Sequence, residues 1–146
     1  MMREPMILEG YASLFGVADL AGDVVRTGAF AKSLRKRPRF KILLEHDPRL
    51  VAGAWVEAHE DKAGLFVRGS LVDEAPAAAL ARRRLRAGVD GLSIGFRTVR
   101  ARALPGGGRE LIEIDLIEVS LVRTPMLPAA RLFHPGGDNK TSERNR

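Results

Sequence analysis

The stretch Gly91–Val122, GLSIGFRTVRARALPGGGRELIEIDLIEVSLV, decides how this sequence folds. Two long runs rich in β-branched and aliphatic residues, Gly91 to Ala103 and Arg109 to Val122, flank LPGGG, whose proline and glycines are turn formers. The pair reads as an antiparallel hairpin. Its second arm breaks the alternation of a simple half-buried strand. Ile112, Ile114 and Leu116 share a parity with Glu118, whereas Ile117, Val119 and Leu121 take the other. Such a strand is either bulged or covered on both faces. Glu118 follows apolar neighbours of its own parity, which points it inward, where an ionised carboxylate needs a partner. An outward Glu beyond a bulge fits the same pattern.

Working outward, Ile7 to Phe15 reads as a strand, followed by a loop over Gly16 to Gly22 and a short strand from Asp23 to Arg26. Thr27 is placed to cap a helix over Gly28 to Arg37, with Phe30 and Leu34 four apart on one face and Pro38 stopping the run. In RFKILLEHDP, Phe40, Ile42, Leu44 and His46 share one parity. A strand there puts His46 at the end of its apolar face, and Asp47-Pro48 supplies the turn. Val51 to His59 and Leu65 to Val72 form a second hairpin-like pair across EDKAG. Asp73 as cap and Pro76 in the first turn open a helix that ends at Ala87 and stops at Gly88. Six or seven strands with two helices and short connections predict a mainly β fold, an antiparallel barrel or sandwich flanked by helices. The domain is expected to span residues 1–133. From His134 the segment HPGGDNKTSERNR lacks apolar periodicity and is expected to be a flexible polar tail.

A chain of 146 residues suits a single core. The absence of cysteine removes disulfide frameworks, cysteine zinc sites and thiol nucleophiles. Neither the apolar core of a signal peptide nor a run of about 18 apolar residues is present, so a soluble, cytoplasmic protein is expected. The formal charge of +6 is clustered: residues 32–41 hold six bases and no acid, and residues 76–102 hold seven arginines against Asp90. This distribution suits a polyanion or an acidic protein surface, and equally a solvated helix face.

Candidate chemistry is confined by the small supply of imidazoles. Of the three histidines, His134 lies in the tail and His59 beside Glu60 and Asp61 at a turn, which leaves His46. An imidazole with a pKa of about 6.5 accepts a hydroxyl proton at neutral pH when it is held in reach and oriented by an acceptor. A core-edge histidine bonded to backbone is the plainer alternative. Ser93 stands in DGLSIGF between Gly91 and Gly95, whose missing side chains leave room over its hydroxyl for a substrate backbone. A serine on the polar face of a strand is also commonplace. Asp19, Asp23, Asp73, Asp90 and Asp115 show no metal-ligand spacing with the histidines. Gly106 to Gly108 and the Gly136-Gly137 pair do not form a phosphate loop. No metal or cofactor is expected.

The order KILLEHDP, GLFVRGSL, GVDGLSIGF and EIDLIEVSLVRTP resembles the prohead proteases of tailed double-stranded DNA phages, prophages and gene transfer agents. The likeness runs from about Leu8 to Leu132. It implies a capsid-maturation serine endopeptidase with His46, Ser93 and Glu118 as base, nucleophile and orienting carboxylate, and a fold similar to the herpesvirus capsid proteases. The substrate so implied is the major capsid protein or its scaffolding segment, cut within assembling proheads in the host cytoplasm. Self-association as a dimer follows by the same analogy. The basic clusters at Lys32 to Lys41 and Arg82 to Arg86 are placed to dock on an acidic scaffold, and Arg123 or backbone amides near the serine are oxyanion candidates. Two other readings remain: a basic nucleic-acid-binding barrel, which the scattered aromatics disfavour, and an inactive capsid component that keeps the fold.

Overall fold

The strands build one curled sheet in the computed structural model, which describes residues 5–133. The elements run β1 (Ile7–Leu14), β2 (Asp23–Val25), α1 (Ala31–Lys36), β3 (Phe40–Leu44), β4 (Asp47–Glu60), β5 (Gly64–Leu71), α2 (Ala78–Arg86), β6 (Gly91–Ala103) and β7 (Arg109–Val122). The sheet order is β1-β5-β4-β3-β7-β2, and β6 also pairs with β7. The fold is thus mainly β with two helices, as the sequence predicts.

β7 is the spine. β6 lies antiparallel along its whole length, while β2 and β3 pair with it in parallel at its two ends, at residues 109–111 and 119–121. Between those ends no strand pairs with the edge opposite β6, and the connection through α1 covers it instead. The Ile114 N–H donates to Ala29 O (3.1 Å), the Leu116 N–H to Ser33 Oγ (2.8 Å), and Arg37 Nη1 to Leu116 O (2.6 Å). Polar backbone groups that would otherwise be buried without partners are satisfied in this way.

The sheet curls around Trp55, Phe30, Ile42, Leu44, Leu65, Leu92 and further aliphatic side chains, all fully buried. The Trp55 indole donates to Val119 O (3.0 Å), linking β4 to β7 across β3. The C-terminal described segment fills the opening between β1 and β6: Leu92 N–H donates to Ala130 O (2.8 Å) and Phe133 N–H to Glu9 O (2.9 Å). Gly10 permits this approach, because a Cβ there would stand 2.8 Å from Leu132 Cα.

Both helices start later than the sequence suggests. α1 begins at Ala31, and Thr27 makes no cap; Gly28, at φ 93°, is part of a turn. The carboxylate of Glu60, at the end of β4, takes that place, accepting from the N–H groups of Gly28 (2.9 Å) and Phe30 (2.8 Å). A cap from a residue so distant in sequence leaves no local signature. α2 begins at Ala78 without a side-chain cap, so neither Asp73 nor Pro76 belongs to it. Asp73 instead holds Arg82 (2.8 Å), which is buried. The Arg82 to Arg86 cluster is correspondingly smaller as a docking surface. No helix among the described residues is long and apolar enough to cross a membrane. The expected tail, with His134 and the Gly136-Gly137 pair, lies outside the described residues.

Glu60→Ala is expected to destabilise the fold by about 1 kcal/mol, the usual scale for losing a helix-start acceptor, whereas Thr27→Ala leaves stability unchanged. Urea denaturation of the two variants checks this, and equal effects would return the cap to Thr27.

Candidate active site

The site grows from the two-residue connection between β3 and β4. Leu44 pairs with Asp47, so Glu45 and His46 alone turn the chain, and both lie in the left-handed region at φ 51° and 62°. Such turns favour Asn and Gly, and an ordinary L residue there costs about 1–2 kcal/mol. β7 and the residue after it hold the turn. Glu45 N–H donates to Leu121 O (3.1 Å), His46 N–H donates to Ser120 Oγ (3.0 Å), and the Glu45 carboxylate accepts from Arg123 N–H (2.8 Å). His46 Nδ1 bonds Glu118 Oε2.

This corrects the expected placement of His46 as a strand end. β3 stops at Leu44, and the turn comes one step before Asp47-Pro48, which open β4. The imidazole leaves the apolar face and stands partly exposed, its side chain 42% accessible.

Glu118 reaches His46 because β7 is bulged. Gly95 faces Glu118 and Phe96 faces Leu116, so Ile117 is an extra residue that switches the parity of the strand. Before it Ile114 and Leu116 enter the core, and after it Val119 and Leu121 do, while Ile117 stays 40% exposed. The Glu118 carboxylate lies over Gly95, where a Cβ would collide with its oxygen. Gly95 therefore makes room for the carboxylate rather than for a substrate. Gly91 likewise admits Pro125, whose Cδ would be 2.8 Å from an added Cβ.

Ser120 completes the link, a residue the sequence reading passed over. It is fully buried, donates its hydroxyl to Glu118 Oε1 (2.7 Å) and accepts the His46 N–H. A lone hydroxyl two residues after Glu118 on an otherwise apolar run was the available signal. Directly across the β6–β7 ladder from Ser120 stands Ser93, 7% exposed. Ser93 and His46 line one cavity of about 220 Å³, together with Ser13, Ile94, Met126 and Leu127. The three residues singled out by sequence thus come from β6, β7 and the β3–β4 turn: Glu118 bonds His46, and Ser93 shares a cavity with it.

An ionised carboxylate only accepts, so the Glu118 contact places the imidazole proton on Nδ1 and leaves Nε2 able to accept another. The hydrogen bond to Glu118 raises the His46 pKa, partial burial opposes it, and the charges of Glu118 and Glu45 add to the rise. Chemically this is a base with a fixed tautomer that shares a cavity with a nearly buried hydroxyl. Of the oxyanion candidates, Arg123 has its amide committed to Glu45, which leaves its guanidinium.

The other candidates lie elsewhere. His59 is exposed on β4, 3.3 Å from Glu57 and stacked near Phe66. Asp23, Asp73, Asp90 and Asp115 pair with Arg109, Arg82, Arg131 and Arg97, and Asp19 accepts from the Ala21 and Asp23 amides. Gly106 to Gly108 form the β6–β7 turn, all at positive φ.

Known proteins resemble this chain in family and in fold. A family described as Caudovirus prohead serine protease matches residues 2–137. The prohead protease of Enterobacteria phage HK97 is 36% identical over 97 residues, which is 64% of this chain and 43% of that protein. The match therefore spans less than half of that relative's length. Among solved structures, the capsid assembly protease of bacteriophage T4 aligns with a TM-score of 0.68 at 17% identity, covering 82% of both chains. The KSHV protease in complex with a hexapeptide phosphonate inhibitor aligns at 0.58 and 16% identity, covering 89% of this chain and 64% of that one. At such identities the likeness is one of fold, here the herpesvirus-protease type.

Glu118→Gln is expected to lower the His46 pKa by replacing the charged acceptor that favours the imidazolium with a neutral one. The sign extends to stability: the contribution of the charged pair is complete below the imidazole pKa of the unfolded chain. It is lost as pH rises through the raised folded value. NMR titration of the His46 ring reads the shift, and an unchanged midpoint would detach the imidazole from Glu118.

Proposed function

Because the chain belongs to the caudovirus prohead serine protease family, we propose that it is a serine endopeptidase of capsid maturation, acting through Ser93, His46 and Glu118. The observation that carries this reading is the linked arrangement of His46, Glu118 and Ser120, with His46 sharing one cavity with a nearly buried Ser93. On this reading Ser93 Oγ attacks the peptide carbonyl while His46 Nε2 takes its proton. Glu118 keeps the proton on Nδ1 and stabilises the imidazolium that forms. His46 then gives its proton to the leaving amine, and the acyl-enzyme is hydrolysed by water activated at the same nitrogen. Ser120 acts at one remove, holding the His46 backbone and the second Glu118 oxygen so that the ring needs no reorganisation.

The substrate we assign is the major capsid protein or its scaffolding segment, cut within an assembling prohead, with the chain itself as a further substrate. The T4 relative is named a capsid assembly protease and the HK97 relative a prohead protease, which supports that assignment.

Co-expression with the cognate major capsid protein tests the proposal, with the capsid protein's N-terminus read by mass spectrometry. The intact chain is expected to shorten the capsid protein and Ser93→Ala to leave it full length. His46→Ala should lower turnover by at least about 1000-fold, and Glu118→Gln by less, since orienting members of a triad are commonly less critical than the nucleophile. The raised His46 pKa places the acid limb of the rate above pH of about 6.5, and Glu118→Gln moves it down. Full-length capsid protein in assembled shells with the intact chain would favour an inactive capsid component.

A further inference from the structure

His46 forms part of two hollows. One is the cavity that holds Ser93; the other is a groove of about 460 Å³ that His46 shares with Glu118 and the start of β3. The floor of the groove is apolar, made by Leu43, Pro48 and Ile117. Ile117 is available there because the β7 bulge pushes it out of the core. Its rim carries Arg37, Arg39 and Lys41. Arg37 is engaged with Leu116 O and stands 3.8 Å from Asp115. Arg39 and Lys41 are exposed and have no carboxylate within salt-bridge distance among the described residues. The single acid lining the groove, Glu118, is committed to His46 and Ser120.

An apolar trough with unneutralised cations along one side, beginning at the ring of the base, suits one kind of occupant. We propose that this groove is a substrate subsite that takes an apolar residue against Ile117 and Leu43 and an adjacent Asp or Glu against Arg39 and Lys41. The peptide enters it a short distance along the chain from the scissile bond. The inference rests on the protease reading for its catalytic context, and it makes Arg39 and Lys41 of the basic stretch selectors at the site rather than part of a remote docking patch. Exposed ion pairs of this kind are weak singly and sensitive to salt, so their effect is one of preference among peptides rather than of gross affinity.

Two measurements separate the subsite from the reading beneath it. In the first, a sequence-diverse library of synthetic peptides is digested by the full chain, with Ser93→Ala as background, and the products are read by mass spectrometry. Asp and Glu should be enriched over Asn and Gln at one position near the cut. Arg39→Glu with Lys41→Glu should reduce that preference about 5-fold while neutral peptides are still cleaved. In the second, fluorescence anisotropy follows the binding to the Ser93→Ala chain of a labelled dodecapeptide of Leu, Gly and Glu and of its Gln counterpart. The Glu peptide should bind more tightly, and raised salt or the charge reversal should remove the difference. Cleavage without acidic preference, or equal binding of the two peptides, overturns the subsite and leaves the protease intact. Absence of all cleavage by the intact chain, with the Glu peptide still preferred in binding, overturns the protease reading and keeps the groove as an acidic-peptide site.

Discussion

Two L residues in left-handed backbone conformations, Glu45 and His46, are held by bonds from β7 and the residue that follows it, and the candidate chemistry depends on that restraint. Without partners the turn would relax, because keeping each residue in place costs about 1–2 kcal/mol. The bonds to Leu121, Ser120, Glu118 and Arg123, on the order of 1 kcal/mol each, are large enough to oppose that relaxation. Strain of this kind concentrates where a side chain must be aimed. The ring is aimed by its backbone as much as by its partner.

The same economy runs along β7. One strand pairs with β6, β2 and β3, receives the indole of Trp55 on Val119, and carries both Glu118 and Ser120. Its central backbone is satisfied by the α1 connection, which delivers the chain from β2 to β3 and so sets where the β3–β4 turn falls. Fold and site are therefore not separable here: the bonds that close the sheet around β7 are also those that bring base and carboxylate together.

Much of this was legible in the sequence, and the parts that were not share a cause. The β6–β7 hairpin could be read because its signals are local, a glycine-rich turn between long aliphatic runs. The break in alternation announced a bulge as one of two explanations, but the face Glu118 takes was left open, and beyond the bulge the core receives Val119 and Leu121 while Glu118 turns to the other side. The helix starts could not be read, because the acceptor for the first comes from Glu60 and Asp73 is drawn away by Arg82. Glu45-His46 as a left-handed turn has no residue signature, since the stabilising groups lie some seventy positions on. Gly95 was seen as special for the wrong reason: the space it leaves is filled by Glu118 rather than left open. The joint roles proposed for Ser93, His46 and Glu118 came from the resemblance, because each residue taken alone fitted an ordinary structural place as well.

The bulge at Ile117 has a genetic corollary. From Ile114 to Leu121, residues before and after it reach their proper faces only because that position is in excess. An in-frame loss of that single codon would keep every polar group of the site and nearly all of the composition. Yet it would force either Ile114 and Leu116 or Glu118 and Ser120 to the opposite side of the sheet. Lineages of this protein should therefore tolerate exchange of Ile117 for other apolar residues far more readily than a change in the length of β7.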